Sequence, residues 1–208
     1  PRTGILKTLD TLDHVTLFAR SPEDIEMMFS ATRVRGRNYP FVHVNMDGIS
    51  KQKEHGNFRV GFVKTHVWNN AEDYVQKDVC SFAETLSGLD KVELVEVKLP
   101  TDFDESHNIH NLIYEKSLSY YFAEEYSNYR EMVSPVMREL IERGRSISKE
   151  EFYHGLSEQN RLSVHLDEFL ADYDVIISFA TAHDAPEGLD AIEQKDPCLM
   201  WTLFRVPS

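Results

Sequence analysis

The sequence is poor in cysteine and contains no long apolar run, and each shortage excludes a class of protein. Only two of its 208 residues are cysteines, Cys80 and Cys198. That number is too small for a disulfide-stapled fold and favours buried thiols in a reducing compartment. No stretch approaches the roughly 18 apolar residues that a membrane-spanning helix needs. We therefore predict a cytoplasmic protein without a membrane partner.

Basic residues are also scarce relative to acidic ones, which argues against a nucleic acid partner. Lys and Arg total 22 against 35 Asp and Glu, so the formal net charge is −13 at pH 7. A chain of this sign repels phosphate backbones and anionic surfaces. The hydrophobic fraction of 41% is ordinary for a globular protein and is enough for a core. We expect a single α/β domain spanning residues 1–208.

The short motifs that usually reveal a nucleophile or a phosphate site are missing. The sequence has no G-x-S-x-G elbow, no pair of adjacent serines, no P-loop and no G-x-G-x-x-G. Cys80 lies at the edge of the inner stripe of a predicted helix, where a structural thiol is the better interpretation. No residue of this chain is therefore predicted to be catalytic.

Nine histidines raise the question of a metal site, but their spacing does not support one. His107 and His110 are three residues apart on one face of a predicted helix, without a third ligand at a recognisable spacing. We interpret this pair as solvated surface residues, and we predict neither a metal nor a cofactor. His183 is followed by Asp184 in a loop after a strand, where ligand-binding residues often collect in α/β proteins.

Periodicity predicts an α/β fold with a mixed sheet flanked by helices. A helix starts at Ser21-Pro22, and a short strand is predicted at Phe41–Val44. A β-α-β unit follows, with strands at 58–63 and 92–99 around a helix capped by Asn69 or Asn70 and ended by Gly88. The next seventy or so residues read as helices, one of them ended by Gly144 and another opened by a Ser148–Glu151 capping box. A strand at 174–179 and a short helix containing Trp201 complete the pattern, so the helices form an insertion between the second and third strands.

The order of these segments resembles the amidase-signature family over nearly the whole chain. The matching segments are residues 3–6, 12–15 and 19–24, the strand 58–63 with Trp68, the stretch 95–100 ending in Leu-Pro, the strand 173–177, the segment 185–189 and the end at 201–207. The resemblance implies that this chain is one piece of a larger α/β/α sandwich domain.

Members of that family hydrolyse amides with a lysine, a bridging serine and a nucleophilic serine from a Gly/Ser-rich stretch. That stretch has no counterpart in this sequence, so the resemblance implies that the chain alone is inactive and that the nucleophile lies outside it. A small amide would be the substrate, with Phe179, Thr181 and His183 as walls of its pocket. Phe179 has a second interpretation as a plain core residue.

Three departures from the family pattern leave other interpretations open. Thr16-Leu17 replace Gly-Pro, Ser178-Phe179 replace Thr-Pro, and Arg205 replaces a glycine, where we expect altered packing. The first alternative is a non-catalytic scaffold or binding module, whose exposed apolar patch could form a homodimer. The second is an unrelated α/β enzyme that uses His183 and Asp184.

Overall fold

The computed structural model describes residues 4–34, 56–188 and 196–206. The predicted strand Phe41–Val44 lies outside the described residues. Contacts divide the chain into two compact units, one formed by Pro1–Lys7 with Asp13–His55 and the other by Thr8–Leu12 with Gly56–Ser208. The single domain therefore stays a prediction.

In the first unit the only described helix begins where the sequence predicts. Helix α1 spans Pro22–Thr32, and the Oγ of its N-cap Ser21 accepts a hydrogen bond from the backbone N–H of Asp24 at 3.2 Å. Proline in the first turn and acidic residues beside it suit the helix dipole. None of the residues of α1 is buried.

The second unit contains a parallel three-stranded sheet, which confirms the α/β fold. Strands β1 (Phe58–Val63), β2 (Val92–Val97) and β3 (Val175–Ile177) lie in the order β2-β1-β3, and both pairings are parallel. The mixed sheet of the prediction is thus parallel throughout the described ranges. Both flanking strands are shorter than the pattern suggested, because β2 ends before Pro100 and β3 pairs over three residues only.

Helix α2 (Asp73–Ser87) connects β1 to β2 and completes the predicted β-α-β unit. Its N-cap is Glu72, so the predicted cap at Asn69 or Asn70 is wrong. Those asparagines belong to a separate 3₁₀ turn, and the backbone N–H of Glu72 donates to the carbonyl of Ala182 at 2.9 Å. The first backbone N–H groups of a helix have no partner within the helix, and here a distant carbonyl, not a neighbouring side chain, accepts from one of them. Gly88 ends the helix as predicted.

The segment between β2 and β3 is helical, as predicted, and contains four α-helices. They are α3 (Ser106–Tyr121), α4 (Ala123–Asn128), α5 (Pro135–Ser146) and α6 (Lys149–Leu170). The capping box at the start of α6 is confirmed in both directions between Ser148 and Glu151. Gly144 does not end α5, which continues to Ser146. It lies where α5 crosses α3, and a Cβ atom there would come within 1.9 Å of the Glu115 carbonyl oxygen.

Apolar cores cover both faces of the sheet, because adjacent residues of β1 point to opposite sides. Val63 belongs to a first core with Ile113, Leu162 and residues of helix α7 (Leu199–Leu203), while Phe62 belongs to a second core with Trp68, Val75 and Phe179. The sheet is therefore flanked by α2 on one face and by α3, α6 and α7 on the other. None of the helices in the described ranges is long and apolar enough to cross a bilayer.

Candidate functional site

Two concavities adjoin the end of β3, and they differ in polarity. The first, here called the edge cavity, has a volume of about 500 Å³ and is lined by residues 176–180, by one face of α2 and by Cys198, Trp201 and Val206. The second, the loop cavity, holds about 450 Å³ between residues 180–186 and the segment Asp196-Pro197. Both lie where ligands commonly bind in α/β proteins, beyond the carboxyl end of a parallel strand.

The predicted wall residues divide between these cavities. Phe179 borders the edge cavity, but its side chain is only 2% exposed and packs in the second core, with its ring centroid 5.2 Å from that of Trp68. That packing agrees with its interpretation as a core residue. Thr181 and His183 line the loop cavity instead. The three residues therefore do not converge on one pocket.

A local hydrogen-bonded turn determines which ring nitrogen of His183 carries the proton. Thr181 Oγ1 donates to the His183 carbonyl at 2.6 Å, and the His183 Nδ1 lies at hydrogen-bonding distance from the Asp184 carbonyl oxygen. A carbonyl oxygen can only accept, so Nδ1 carries the proton. In the neutral ring the Nε2 atom is then an acceptor, available for an N–H group of a ligand.

The carboxylate of Asp184 is engaged elsewhere, with Tyr74 at the start of α2. The Tyr74 hydroxyl donates to Asp184 Oδ1 at 3.0 Å and accepts from the Asp184 backbone N–H at 2.7 Å. Desolvation raises the pKa of the Tyr74 hydroxyl above its ordinary value of 10.0, and the nearby Asp184 carboxylate adds to the rise. Since His183 contacts the backbone of Asp184 and not its carboxylate, the two side chains do not form a His–Asp catalytic pair here.

A pair of histidines, the buried His107 and the half-buried His66, holds the other wall of the loop cavity. His107 is 6% exposed, its Nε2 lies 3.0 Å from the Asp196 carbonyl oxygen, and its Nδ1 lies 3.0 Å from Nε2 of His66. Because the carbonyl can only accept, the neutral His107 carries its proton on Nε2 and accepts from His66 on Nδ1. The Asp196 carboxylate in turn accepts the backbone N–H of Cys198 at 2.8 Å. This chain of hydrogen bonds positions the segment that borders both cavities.

The interpretation of His107 and His110 as solvated surface residues is therefore wrong. Burial lowers the pKa of His110, and its ring stacks on Tyr114 at a centroid distance of 5.6 Å. The sequence held a signal for His110, because it precedes the buried Ile113 by three residues and so shares its helix face. The burial of His107 depends on the segment around Asp196, which no local pattern predicts.

Cys198 borders the edge cavity but is a poor nucleophile. Burial raises the pKa of its thiol, the neighbouring Asp196 adds to the rise, and the Sγ donates to the Ala180 carbonyl at 3.2 Å. The thiolate, which is the reactive form, is thus disfavoured. Both cysteines are free. Within the described ranges, no group of three or more His, Cys, Asp or Glu side chains converges as a metal site would require.

Comparison with known proteins identifies relatives in sequence and in structure. The family model described as Amidase matches residues 1–208. A solved protein described as "Crystal structure of amidase" superposes with a TM-score of 0.62 at 18% identity, over 71% of this chain and 36% of that chain. The present chain thus spans about a third of that amidase. No curated protein matches the sequence.

Proposed function

The chain belongs to the amidase family, and from that membership we propose that it forms part of an amide hydrolase whose serine nucleophile lies outside residues 1–208. The observation that carries this proposal is the family match over the whole sequence. It is supported by the parallel sheet, whose carboxyl end adjoins the loop cavity, which is more polar than the edge cavity and of a size suited to a small molecule.

On its own, this chain is proposed to be inactive. A serine hydroxyl is a weak nucleophile unless an adjacent base takes its proton, and the acyl intermediate needs oriented donors for its oxyanion. Ser178, which lines the edge cavity, donates a hydrogen bond from its hydroxyl to the Val63 carbonyl at 2.9 Å. This hydroxyl therefore stabilises the end of strand β1. The neighbouring Cys198 thiol has a raised pKa. Neither the Ser178 hydroxyl nor the Cys198 thiol is therefore activated as a nucleophile.

The loop cavity is proposed as one wall of the site for a small carboxamide. Its Thr181–His183 turn presents a hydrogen-bond acceptor, the Nε2 of His183. The hydrogen bond between Tyr74 and Asp184 holds this loop against helix α2. A primary carboxamide carries two N–H donors, and one of them can be recognised by this acceptor. In this role His183 binds the substrate without transferring a proton.

The departure at Arg205 bears on the alternative of a non-catalytic scaffold. The family glycine stands at a position where Arg205 has a φ of 62°, so the glycine is explained by the left-handed backbone and not by close packing. The arginine side chain is exposed, and its Nη2 lies 3.5 Å from the Oε1 of the buried Gln159. Because the chain accommodates an arginine in this backbone conformation, the departure does not by itself favour the scaffold alternative.

The proposal is tested by ammonia release from a panel of primary carboxamides. The native gene product should hydrolyse members of the panel, and the isolated chain of 208 residues should not. Thr181→Val removes the hydroxyl that shapes the loop, so in the active protein it should raise KM several-fold with little change in kcat. Thr101→Val, at an exposed residue distant in sequence from the loop, serves as the matched control. Hydrolysis by the isolated chain would contradict the proposal.

A further inference from the structure

The side chains that line the loop cavity offer a ligand acceptors but no free donor. Apart from alanines and prolines, the lining consists of Thr181, His183, Asp184 and Asp196. The two side-chain donors in this set are the Thr181 hydroxyl and the Nδ1–H of His183, and both are used within the turn, on the carbonyls of His183 and Asp184. The Nε2 of His183 and two carboxylates remain, and these groups accept. A ligand that contacts these side chains must therefore supply the donors.

Neither carboxylate of the loop cavity meets a positive charge. Asp184 Oδ1 accepts from the Tyr74 hydroxyl at 3.0 Å, and Asp196 Oδ1 accepts from the Cys198 backbone N–H at 2.8 Å, so both donors are uncharged. Among the residues that the structure describes, no basic side chain forms an ion pair with either aspartate. Burial lowers the pKa of His110 despite the influence of the Asp196 carboxylate, so that ring is neutral at pH 7. Two negative charges therefore border the cavity without compensation from the described part of the chain.

The loop cavity differs in this respect from the edge cavity. Of the described residues that line the edge cavity, Asp78 alone is acidic, and most of the others are apolar. The loop cavity places two acidic side chains around about 450 Å³, with no lysine or arginine among its described lining residues. The net charge of −13 has the same sign, so the field of the whole chain adds to that of the two aspartates. The loop cavity therefore repels anions and attracts cations.

An ammonium group fits these acceptors better than a metal ion does. A hard divalent cation such as Ca²⁺ takes roughly six to eight oxygen ligands. Within residues 4–34, 56–188 and 196–206, no group of three or more His, Cys, Asp or Glu side chains is arranged to hold a metal ion. A primary ammonium group carries one charge and three N–H donors, for which two carboxylates are suitable partners. The cation favoured by the cavity is therefore an organic amine.

We propose that the loop cavity selects carboxamides that carry a protonated amine. This inference rests on the proposed function, because it takes the cavity as one wall of the substrate site. The ammonium group is attracted by Asp184 and Asp196, while an N–H of the carboxamide donates to the Nε2 of His183. The same two charges disfavour amides that carry a carboxylate. Both aspartates are exposed, so solvent screens the attraction and limits the selection to about tenfold.

Three amides of similar shape test the proposal in the native gene product. At pH 7 the compound β-alaninamide carries an ammonium group, butyramide has a methyl group in the same place, and succinamate has a carboxylate there. We expect kcat/KM for ammonia release to be about tenfold higher for β-alaninamide than for butyramide, and lower for succinamate than for butyramide. In about 0.5 M salt the first ratio should fall toward unity, because salt screens exposed charges.

Neutral variants assign the preference to the two carboxylates. Asp184→Asn and Asp196→Asn keep an oxygen acceptor for the Tyr74 hydroxyl and for the Cys198 N–H, so these hydrogen bonds can still form. Each variant should reduce the ratio of kcat/KM for β-alaninamide to that for butyramide by about threefold. Asp78→Asn removes an exposed carboxylate from the edge cavity and serves as the matched control, which should leave the ratio unchanged.

The results separate this inference from the proposed function. Equal kcat/KM for β-alaninamide and butyramide, or faster hydrolysis of succinamate, would overturn the selection and leave the amide hydrolase intact. An equal fall of the ratio in the Asp78 variant would overturn the assignment to the loop cavity. If the native product hydrolyses no carboxamide at all, the proposed function fails, and binding decides the selection. In that case β-alaninamide should shift the ring-proton NMR signals of His183 at about a tenth of the concentration that butyramide needs, and equal concentrations would refute it.

Discussion

Gly144 allows the helical packing to be tested by the addition of a single methyl group. It lies in α5 against α3, where a Cβ would come within 1.9 Å of the Glu115 carbonyl oxygen, 2.5 Å of its carbonyl carbon and 3.0 Å of the Ser119 Cβ. The closest obstacles are backbone atoms of a helix, which cannot rotate away. An ordinary carbon–oxygen contact needs about 3.3 Å, so the two helices must separate by more than an ångström.

The cost of Gly144→Ala follows from that displacement. Helix α3 carries Ile113 and Leu118, both 0% exposed, so moving it disturbs close-packed side chains. Overpacking of this kind costs typically 1–3 kcal/mol. Alanine recovers at most about 1 kcal/mol through its higher helix propensity. Because the obstacle is helix backbone, the upper end of that range applies, and about 3 kcal/mol less about 1 kcal/mol leaves a net loss of about 2 kcal/mol. For a domain of this size that loss is equivalent to a fall in Tm of about 4–8 °C.

Thermal unfolding followed by circular dichroism measures this loss, with Gly88→Ala as the matched control. At Gly88 an added Cβ would lie 3.5 Å from the Thr85 carbonyl oxygen, an ordinary contact, and the backbone φ of −82° accepts any residue. The control should change Tm by no more than about 2 °C. An alanine at 144 that leaves Tm unchanged or raises it would refute the close approach of α3 and α5.

Two further substitutions test single features of the fold. Arg205→Gly should raise stability by about 0.5 kcal/mol in chemical denaturation, because relief of the left-handed backbone at φ 62° outweighs the added chain entropy; a loss would contradict this. Burial raises the pKa of Asp102, but hydrogen bonds from Arg161 and His165 outweigh it and hold that pKa below the ordinary 3.8. The carboxylate therefore stabilises the fold above pH 3.8 and loses this contribution as the pH falls through its folded pKa. Asp102→Asn should cost about 0.5–1 kcal/mol at neutral pH and little in acid, whereas the exposed Asp104→Asn should cost little at either; equal effects would contradict the assignment.

Much of the fold could be predicted because its signals are local. Strands β1 and β2, the start of α1 and the capping box of α6 depend on residues that are neighbours in sequence. The start of α2 could not be predicted, because the Glu72 N–H is satisfied by the distant Ala182 carbonyl. The role of Gly144 was missed for the same reason, since its constraint comes from another helix.

The candidate site was predicted less completely than the fold. The loop after β3 was correctly placed beyond a strand end, but Phe179 turned inward to the second core while Thr181 and His183 remained in the loop cavity. A strand pattern cannot show where the strand ends, and here β3 ends at Ile177. The polar support from His107 depends on a contact with Asp196, which lies 89 positions away in sequence.

The most direct test of the account is fluorophosphonate labelling of the natively expressed protein, with the intact mass measured on the same sample. We predict a mass well above 24.1 kDa and one labelled serine outside residues 1–208. A native mass near 24.1 kDa without labelling would contradict the amide hydrolase proposal and leave a scaffold whose ligand must be found by binding. A label on a serine within residues 1–208 would contradict the claim that the nucleophile lies outside this chain.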